Sequence, residues 1–153
     1  MAAPFVYRLR TRFWECDPQK VVFNAYFNVY VDLAVFEFMR VLGYGESVVK
    51  NGPLDYQIVK QSIEWKAPAR FDQVVEVSVW AKHLGTTSFV IATEFRIAGA
   101  AAVIATSETV YVLVDGATLL KTPLPAEFRK SLEIGAPGMC VDHADSIARL
   151  RES

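Results

Sequence analysis

The sequence predicts an α+β fold, in which one sheet of five antiparallel strands wraps around one long buried helix. Residues 26–42 form an apolar run that is longer than a typical strand, and Gly43 and Gly45 behind it are typical of a helix end. Four strand-like runs follow, and the short turns between them make neighbouring strands antiparallel. Because most helix positions are apolar, the helix needs protein around most of its circumference.

The remaining elements are assigned from periodicity and turn residues. Residues 5–15 alternate, with Phe5 and Phe13 on the same apolar face and arginines on the other, which indicates a half-exposed strand that Asp17-Pro18 ends. Pro125 suits the first turn of a short helix over 125–133. The four strands after the long helix are predicted at 56–66, 74–83, 87–97 and 101–114.

Composition indicates one folded domain and excludes several classes of protein. The 153 residues are 52% hydrophobic with a net charge of -1, so a core can form and general nucleic-acid binding is not indicated. We assign residues 1–135 to a single domain and 136–153 to a loose C-terminal tail. The run at 26–42 contains charges and is shorter than the roughly 20 residues of a membrane span. The N-terminus lacks the apolar run of a signal peptide. We therefore expect a cytoplasmic protein without membrane partners.

Cysteine and histidine are too few and too scattered to predict a metal site. Cys16 and Cys140 lie far apart, and His83 and His143 show no zinc-ligand spacing. We expect neither a metal nor another cofactor. A disulfide framework is not indicated, which agrees with a reducing compartment.

The most informative stretch runs from Phe13 to Ala34 and reads FWECDPQKVVFNAYFNVYVDLA. It resembles the active-site segment of the hotdog-fold 4-hydroxybenzoyl-CoA thioesterases, in which a strand ends in Asp and a buried helix follows. The resemblance covers about residues 5–130 and implies a hotdog thioesterase that assembles as a homodimer or homotetramer. The motifs that match in order and spacing are Cys16-Asp17-Pro18, Val21-Val22-Phe23, Asp32-Leu33-Ala34, residues 67–72 and Thr87-Ser88-Phe89.

The chemistry of thioester hydrolysis fits a carboxylate beside a helix start. The reaction passes through a tetrahedral oxyanion, which needs hydrogen-bond donors, and a helix N-terminus offers free N–H groups. We predict Asp17 as general base or as nucleophile, a choice the sequence leaves open, and the backbone N–H of Asn24 as oxyanion donor. The structural alternatives are a turn-forming Asp17 before Pro18 and a helix-capping Asn24.

The helix entry departs from the family pattern. Many relatives carry Tyr-His-Ala-Asn-Tyr where this chain has residues 23–27, FNAYF, and two glycines common before Val-Val are here Gln19 and Lys20. A mechanism assisted by a histidine at this site is therefore excluded. The resemblance implies a second carboxylate at Asp32, for which the structural alternatives are an ion pair with an arginine such as Arg40 and a hydrogen bond to neighbouring backbone. Glu37 and Glu64 are weaker candidates.

Predicted contacts to the acyl group and to the thiol carrier come from two parts of the chain. Aromatic or small residues at the helix entry suit the acyl group, although they suit a protein core equally well: Phe23, Ala25, Tyr26, Phe27 and Tyr30. The resemblance directs coenzyme A to Lys66, Arg70, Lys82, Thr86, Thr87 and Ser88. Because the stretch 85–88 contains no Arg or Lys for a phosphate, an acyl carrier protein stays open as the carrier.

Three alternative functions remain at this stage. A hotdog hydratase or dehydratase would usually employ a histidine with a carboxylate, yet His83 lies in a predicted strand and His143 in the tail. A non-catalytic acyl-thioester binding protein would keep its ligand uncleaved. An interaction domain would have no small-molecule site.

Overall fold

The computed structural model describes residues 3–45 and 53–144. Its six strands form one sheet in the order β2-β5-β4-β3-β1-β6. A 3-10 turn at Phe13–Glu15 follows the first strand. The elements are β1 (Phe5–Arg10), α1 (Tyr26–Val41), β2 (Leu54–Trp65), β3 (Val74–Leu84), β4 (Ser88–Ile97), β5 (Val103–Asp115), α2 (Ala126–Ile134) and β6 (Cys140–Asp142).

The α+β hotdog arrangement is confirmed, but the sheet has six strands rather than five. The extra strand, β6, comes from the predicted tail and pairs with β1 in parallel, whereas the other neighbouring pairs are antiparallel. Arg8 fixes this pairing by donating from Nη1 to Asp142 Oδ2 at 2.6 Å. Three residues are too few to display the period of a strand, so β6 could not be predicted from periodicity. The rest of the predicted tail, residues 145–153, lies outside the described residues.

The first strand is shorter than predicted because two side chains end it. Thr11 donates its hydroxyl to the carbonyl of Arg70 at 2.6 Å, and Glu15 accepts the N–H of Arg12 at 2.7 Å. Such local side-chain bonds compete with a sheet ladder. The chain therefore turns at Phe13, which is 77% exposed rather than on the core face as predicted.

Helix α1 was predicted to within one residue, and it is buried on one side. The buried side packs in the core beside inward-facing residues of the sheet such as Val77 and Phe95. The other side carries Asn28, Asp32 and Val29, the last of which is 46% exposed. The buried helix residues are Phe27, Tyr30, Val31, Ala34, Val35, Phe38 and Met39.

The strand register places different loops at the two ends of the sheet. Arg10 pairs with Val74, and Trp65 pairs with Ala105, so the loop after β1 and the end of β2 share one end. Helix α2 packs toward the other end, where Phe128 contacts Phe89 with ring centroids 5.5 Å apart. No helix within the described residues is long and apolar enough to cross a membrane.

Candidate active site

Residues 15–23 fold into a hairpin that carries Asp17 near its tip. The N–H of Phe23 donates to the Glu15 carbonyl at 2.8 Å, and the N–H of Asp17 donates to the Val21 carbonyl at 2.9 Å. The turn closes when the N–H of Lys20 donates to the Asp17 carbonyl at 2.8 Å. Since the second arm runs directly into α1, the hairpin folds Asp17 back beside the helix start.

The Asp17 carboxylate is oriented by one hydrogen bond and keeps one oxygen available. Oδ1 accepts the N–H of Gln19 at 2.8 Å, a local turn that Asp forms readily. Within the described parts of the chain, Oδ2 accepts no hydrogen bond. The carboxylate is half-buried, so Oδ2 can meet a ligand while the backbone bond holds the side chain in place.

The start of α1 offers backbone donors next to this carboxylate. The N–H groups of Tyr26, Phe27 and Asn28 already donate to carbonyls three residues back, at 2.9, 3.2 and 3.2 Å. The N–H groups of Asn24 and Ala25 have no hydrogen-bond partner among residues 3–45 and 53–144. They lie at the positive end of the helix dipole, where an oxyanion is stabilised. The capping alternative for Asn24 is wrong, because the N-cap position is Ala25 and no side chain caps it.

Asp17 and the helix start line a common cleft of about 480 Å³. Phe27 forms one wall, and its ring meets that of Trp65 edge-on with centroids 6.2 Å apart. A larger hollow of about 790 Å³ lies beside Trp80 and shares no residue with this cleft. The cleft is lined by Asp17, Gln19, Val21, Val22, Phe23, Asn24, Phe27, Trp65, Lys66, Ala67 and Pro68.

Two of the five predicted acyl-contacting residues, Phe23 and Phe27, line the cleft. Ala25 and Tyr26 do not belong to its lining. Tyr30 is only 1% exposed and donates its hydroxyl to the Glu15 carboxylate at 2.9 Å. The burial of Tyr30 is the main cause that raises its pKa far above the usual range, and this hydrogen bond is the second cause. Tyr30 is therefore a core residue within one chain.

The predicted carrier-binding residues fall into two groups. Lys66 lines the cleft. The exposed Arg70 forms an antiparallel backbone β-bridge with Val21 of the hairpin. Lys82 forms an ion pair with Glu108, and Thr86 and Thr87 connect β3 to β4, which begins at Ser88. At about 3.3 Å per residue, the length of β3 separates this connection from the hairpin end by roughly 30 Å. One chain does not bring the second group to Asp17.

Asp32 and the other acidic candidates lie outside the cleft. The alternative of an ion pair between Asp32 and Arg40 is not found among the described residues, where Arg40 donates to Glu37 at 3.1 Å. Asp32 is exposed on α1. The burial of Tyr56 is the main cause that raises its pKa to about 12, and the negative charge of Asp32 is the second cause. Glu64 is exposed on β2.

Neither histidine reaches the cleft. His143 Nδ1 lies 3.2 Å from the Tyr7 hydroxyl at the β6 edge, and His83 is exposed on β3. The described ranges contain no group of three or more His, Cys, Asp or Glu side chains that could hold a metal ion.

Sequence reasoning missed Trp65 and Glu15. Trp65 resembles any other aromatic residue in a strand, and no local pattern distinguishes it. Glu15 had a usable signal, because an acidic residue three positions after a turn entry commonly accepts the entry N–H. Here Glu15 accepts the N–H of Arg12 in that way.

Comparison with known proteins identifies relatives that share this fold. A family model described as the thioesterase-like superfamily matches residues 11–132. A putative esterase from Aquifex aeolicus is 31% identical over 86 residues, which are 56% of this chain and 67% of that protein.

Two solved structures illustrate the structural similarity. A gentisyl-coenzyme A thioesterase is 25% identical with a TM-score of 0.74, over 83% of this chain and 98% of the other. A 1,4-dihydroxy-2-naphthoyl-CoA thioesterase from Synechocystis is 20% identical with a TM-score of 0.76, over 85% and 96% of the two chains. At that lower identity the second comparison bears on the fold alone.

Proposed function

This chain belongs to the thioesterase-like superfamily and is a thioesterase, and we propose that it cleaves an acyl-CoA or acyl-carrier thioester at the Asp17 cleft. One observation carries this proposal. A carboxylate with an available oxygen lies along one cleft with Asn24, whose N–H has no partner among the described residues, and the N–H of Ala25 follows at the helix start. Attack on a thioester requires a base or nucleophile, and it requires donors where the negative charge develops.

The proposed reaction begins with the thioester carbonyl oxygen at the N–H of Asn24 or Ala25. Asp17 then either takes a proton from a water molecule that attacks the carbonyl carbon or attacks that carbon itself. In both routes the oxyanion forms at the helix start, and its collapse breaks the C–S bond and expels the thiolate. The first route gives the free acid directly, whereas the second gives a mixed anhydride that water hydrolyses.

For the acyl group we propose an aryl or similarly flat unit. One of the similar structures is named a gentisyl-coenzyme A thioesterase, and the gentisyl group is an aryl acyl group. In this chain Phe23, Phe27 and Trp65 line the cleft, and aromatic rings pack favourably against one another. Lys66, which lines the cleft, and Arg70, which pairs with Val21 of the hairpin, are the cations that we propose to contact the thiol carrier.

We further propose a homodimer, from which a tetramer can be built. Strand β2 lies at one edge of the sheet, and Ile58 and Val59 on it are 50% and 61% exposed. A long edge strand with exposed apolar side chains invites pairing with another strand unless it is covered. A second copy would also be needed to bring Lys82 and residues 86–88 to a cleft. Light scattering at micromolar concentration tests the assembly, and a monomeric mass would contradict it.

Thiol release from a panel of acyl-CoAs tests the activity. The panel contains aryl, short-chain and long-chain thioesters together with an enoyl thioester whose product is analysed. We expect hydrolysis, with aryl substrates cleaved at the highest kcat/KM. Hydration of the enoyl thioester without thiol release would support a hydratase instead. Binding without any turnover would support the non-catalytic alternative.

A further inference from the structure

Glu15 is the one charged side chain that is buried among the described residues. It is 4% exposed, and it does not line the cleft that contains Asp17. The proposed reaction makes no use of its carboxylate. Burial of an ionised carboxylate is unfavourable unless hydrogen bonds compensate it, so the partners of Glu15 indicate why it is there.

A single oxygen of Glu15 accepts two hydrogen bonds from different elements. Oε1 accepts the N–H of Arg12 at 2.7 Å and the hydroxyl of Tyr30 at 2.9 Å. Tyr30 is 1% exposed and lies one turn inside α1. The carboxylate therefore connects the base of the Asp17 hairpin to the body of the helix.

The hairpin has two arms, and they are attached to α1 in different ways. Its second arm continues through Asn24 and Ala25 into the helix. Its first arm begins at Glu15 and reaches the helix through the Glu15–Tyr30 bond. The backbone bond from Phe23 to Glu15 joins the two arms, and Val22 of the second arm donates its N–H to the Ala69 carbonyl at 2.8 Å, so the Glu15–Tyr30 bond is the link from the first arm to the helix.

We infer that Glu15 is a positioning residue, whose bond to Tyr30 holds the Asp17 hairpin at a fixed angle to the N–H donors of α1. As far as it concerns catalysis, this inference rests on the proposed role of Asp17. The angle matters because both the attacking group and the oxyanion donors must meet the same carbonyl group. A displacement of about 1 Å can cost roughly 100-fold in rate.

Three substitutions separate a positioning role from a chemical one. Tyr30→Phe removes the donor, and Glu15→Ala removes the acceptor; each should lower kcat by about 10–100-fold with KM changed less than about threefold. Glu15→Gln keeps an oxygen that can accept both bonds, so it should retain kcat within about threefold of wild type. If Glu15→Gln were as slow as Glu15→Ala, the carboxylate would act by its charge and the inference would be wrong.

Tyr7→Phe is the matched control. Tyr7 is 3% exposed, and its hydroxyl is bonded to a side chain, His143, at the β6 edge of the sheet. The substitution removes one hydrogen-bonded hydroxyl from the core, as Tyr30→Phe does, but it removes no hydrogen bond of the hairpin. It should leave kcat unchanged. An equal loss of kcat in both variants would indicate general destabilisation and would overturn the inference.

Labelling of Cys16 tests the connection without reference to catalysis. Cys16 is half-buried in the hairpin, and the exposed Cys140 is first changed to Ser. Tyr30→Phe leaves every charge in place, so a faster reaction of Cys16 with a thiol reagent would report a loosened hairpin. We expect acceleration in Tyr30→Phe and none in Tyr7→Phe.

An unchanged Cys16 labelling rate in Tyr30→Phe would overturn the inference, even if the wild-type enzyme proved active. If the wild-type protein hydrolysed no thioester, the proposed function would fall, and the labelling result would still decide whether Glu15 holds the hairpin.

Discussion

Asp17→Asn should abolish most of the turnover while leaving the fold intact. The amide oxygen of Asn can accept the Gln19 N–H as Oδ1 does now, so the local turn is kept and the change removes chiefly charge and basicity. General-base catalysis contributes about 10²–10⁴-fold, which corresponds to roughly 2.7–5.5 kcal/mol of transition-state stabilisation. The free energy of unfolding should change by less than about 1 kcal/mol, because Asp17 forms no ion pair with a described residue.

The assay is steady-state thiol release from the best acyl-CoA, with circular dichroism and thermal unfolding as folding controls. We expect kcat to fall by at least about 100-fold with KM little changed, since the interaction is made mainly in the transition state. Asp115→Asn is the matched control. Its Oδ1 also accepts backbone N–H groups in a turn, at 2.9 and 2.8 Å from Ala117 and Thr118, but it lies at the opposite end of the sheet. A folded Asp17→Asn variant with near-full turnover would show that Asp17 serves only to form the turn and has no catalytic role.

Further outcomes are expected from the same structure. Asn24→Ala should lower kcat far less than Asp17→Asn, because the backbone N–H remains; a comparable loss would assign a role to the side chain. Lys20 has a φ of 64°, a left-handed backbone conformation that is strained for a residue with a side chain. Lys20→Gly should therefore raise the free energy of unfolding by about 0.5–1 kcal/mol in a urea titration. A decrease would show that this strain is absent. Burial raises the pKa of Tyr30 and, to about 12, of Tyr56. Below pH 10 both tyrosines are neutral in the folded and unfolded states, and their contribution to stability is at its full value. Above about pH 10 they ionise first in the unfolded state, so the free energy of unfolding should fall by roughly 1.4 kcal/mol per pH unit for each tyrosine. Denaturant titrations from pH 8 to 11 check this, and a flat profile would contradict it. Activity should survive EDTA, and loss of activity that zinc restores would refute the metal-free mechanism.

The sequence predicted those features that depend on neighbouring residues. Helix α1 was located because its apolar run is long and ends in glycines, and the four strands after it were located by alternation and short turns. Asp17 and Asn24 are seven positions apart, so a short loop alone brings them together. Resemblance to a known family added their proposed roles, which neither spacing nor composition supplies.

Features that depend on distant residues were not predictable in this way. Trp65 reaches the cleft because the register of β2 against β5 sets where the strand ends, and nothing near Trp65 in sequence encodes that position. Strand β6 depends on Arg8, more than a hundred residues away. The pairing of β3 with β4 places residues 86–88 at the end of the sheet away from the cleft, although the family resemblance directs them to the carrier.

The one-sided burial of α1 connects the fold to the proposed assembly. An apolar helix predicted to need protein on most of its circumference is covered on one side in a single chain, and Val29 remains 46% exposed. The adjacent edge strand β2 has exposed apolar residues and no neighbour on its outer side within the described ranges. Both surfaces would be covered if a second chain packed along α1 and β2. Because Trp65 ends β2 at the cleft, such a partner would lie beside Asp17, where it could supply contacts to the thiol carrier that one chain does not bring there.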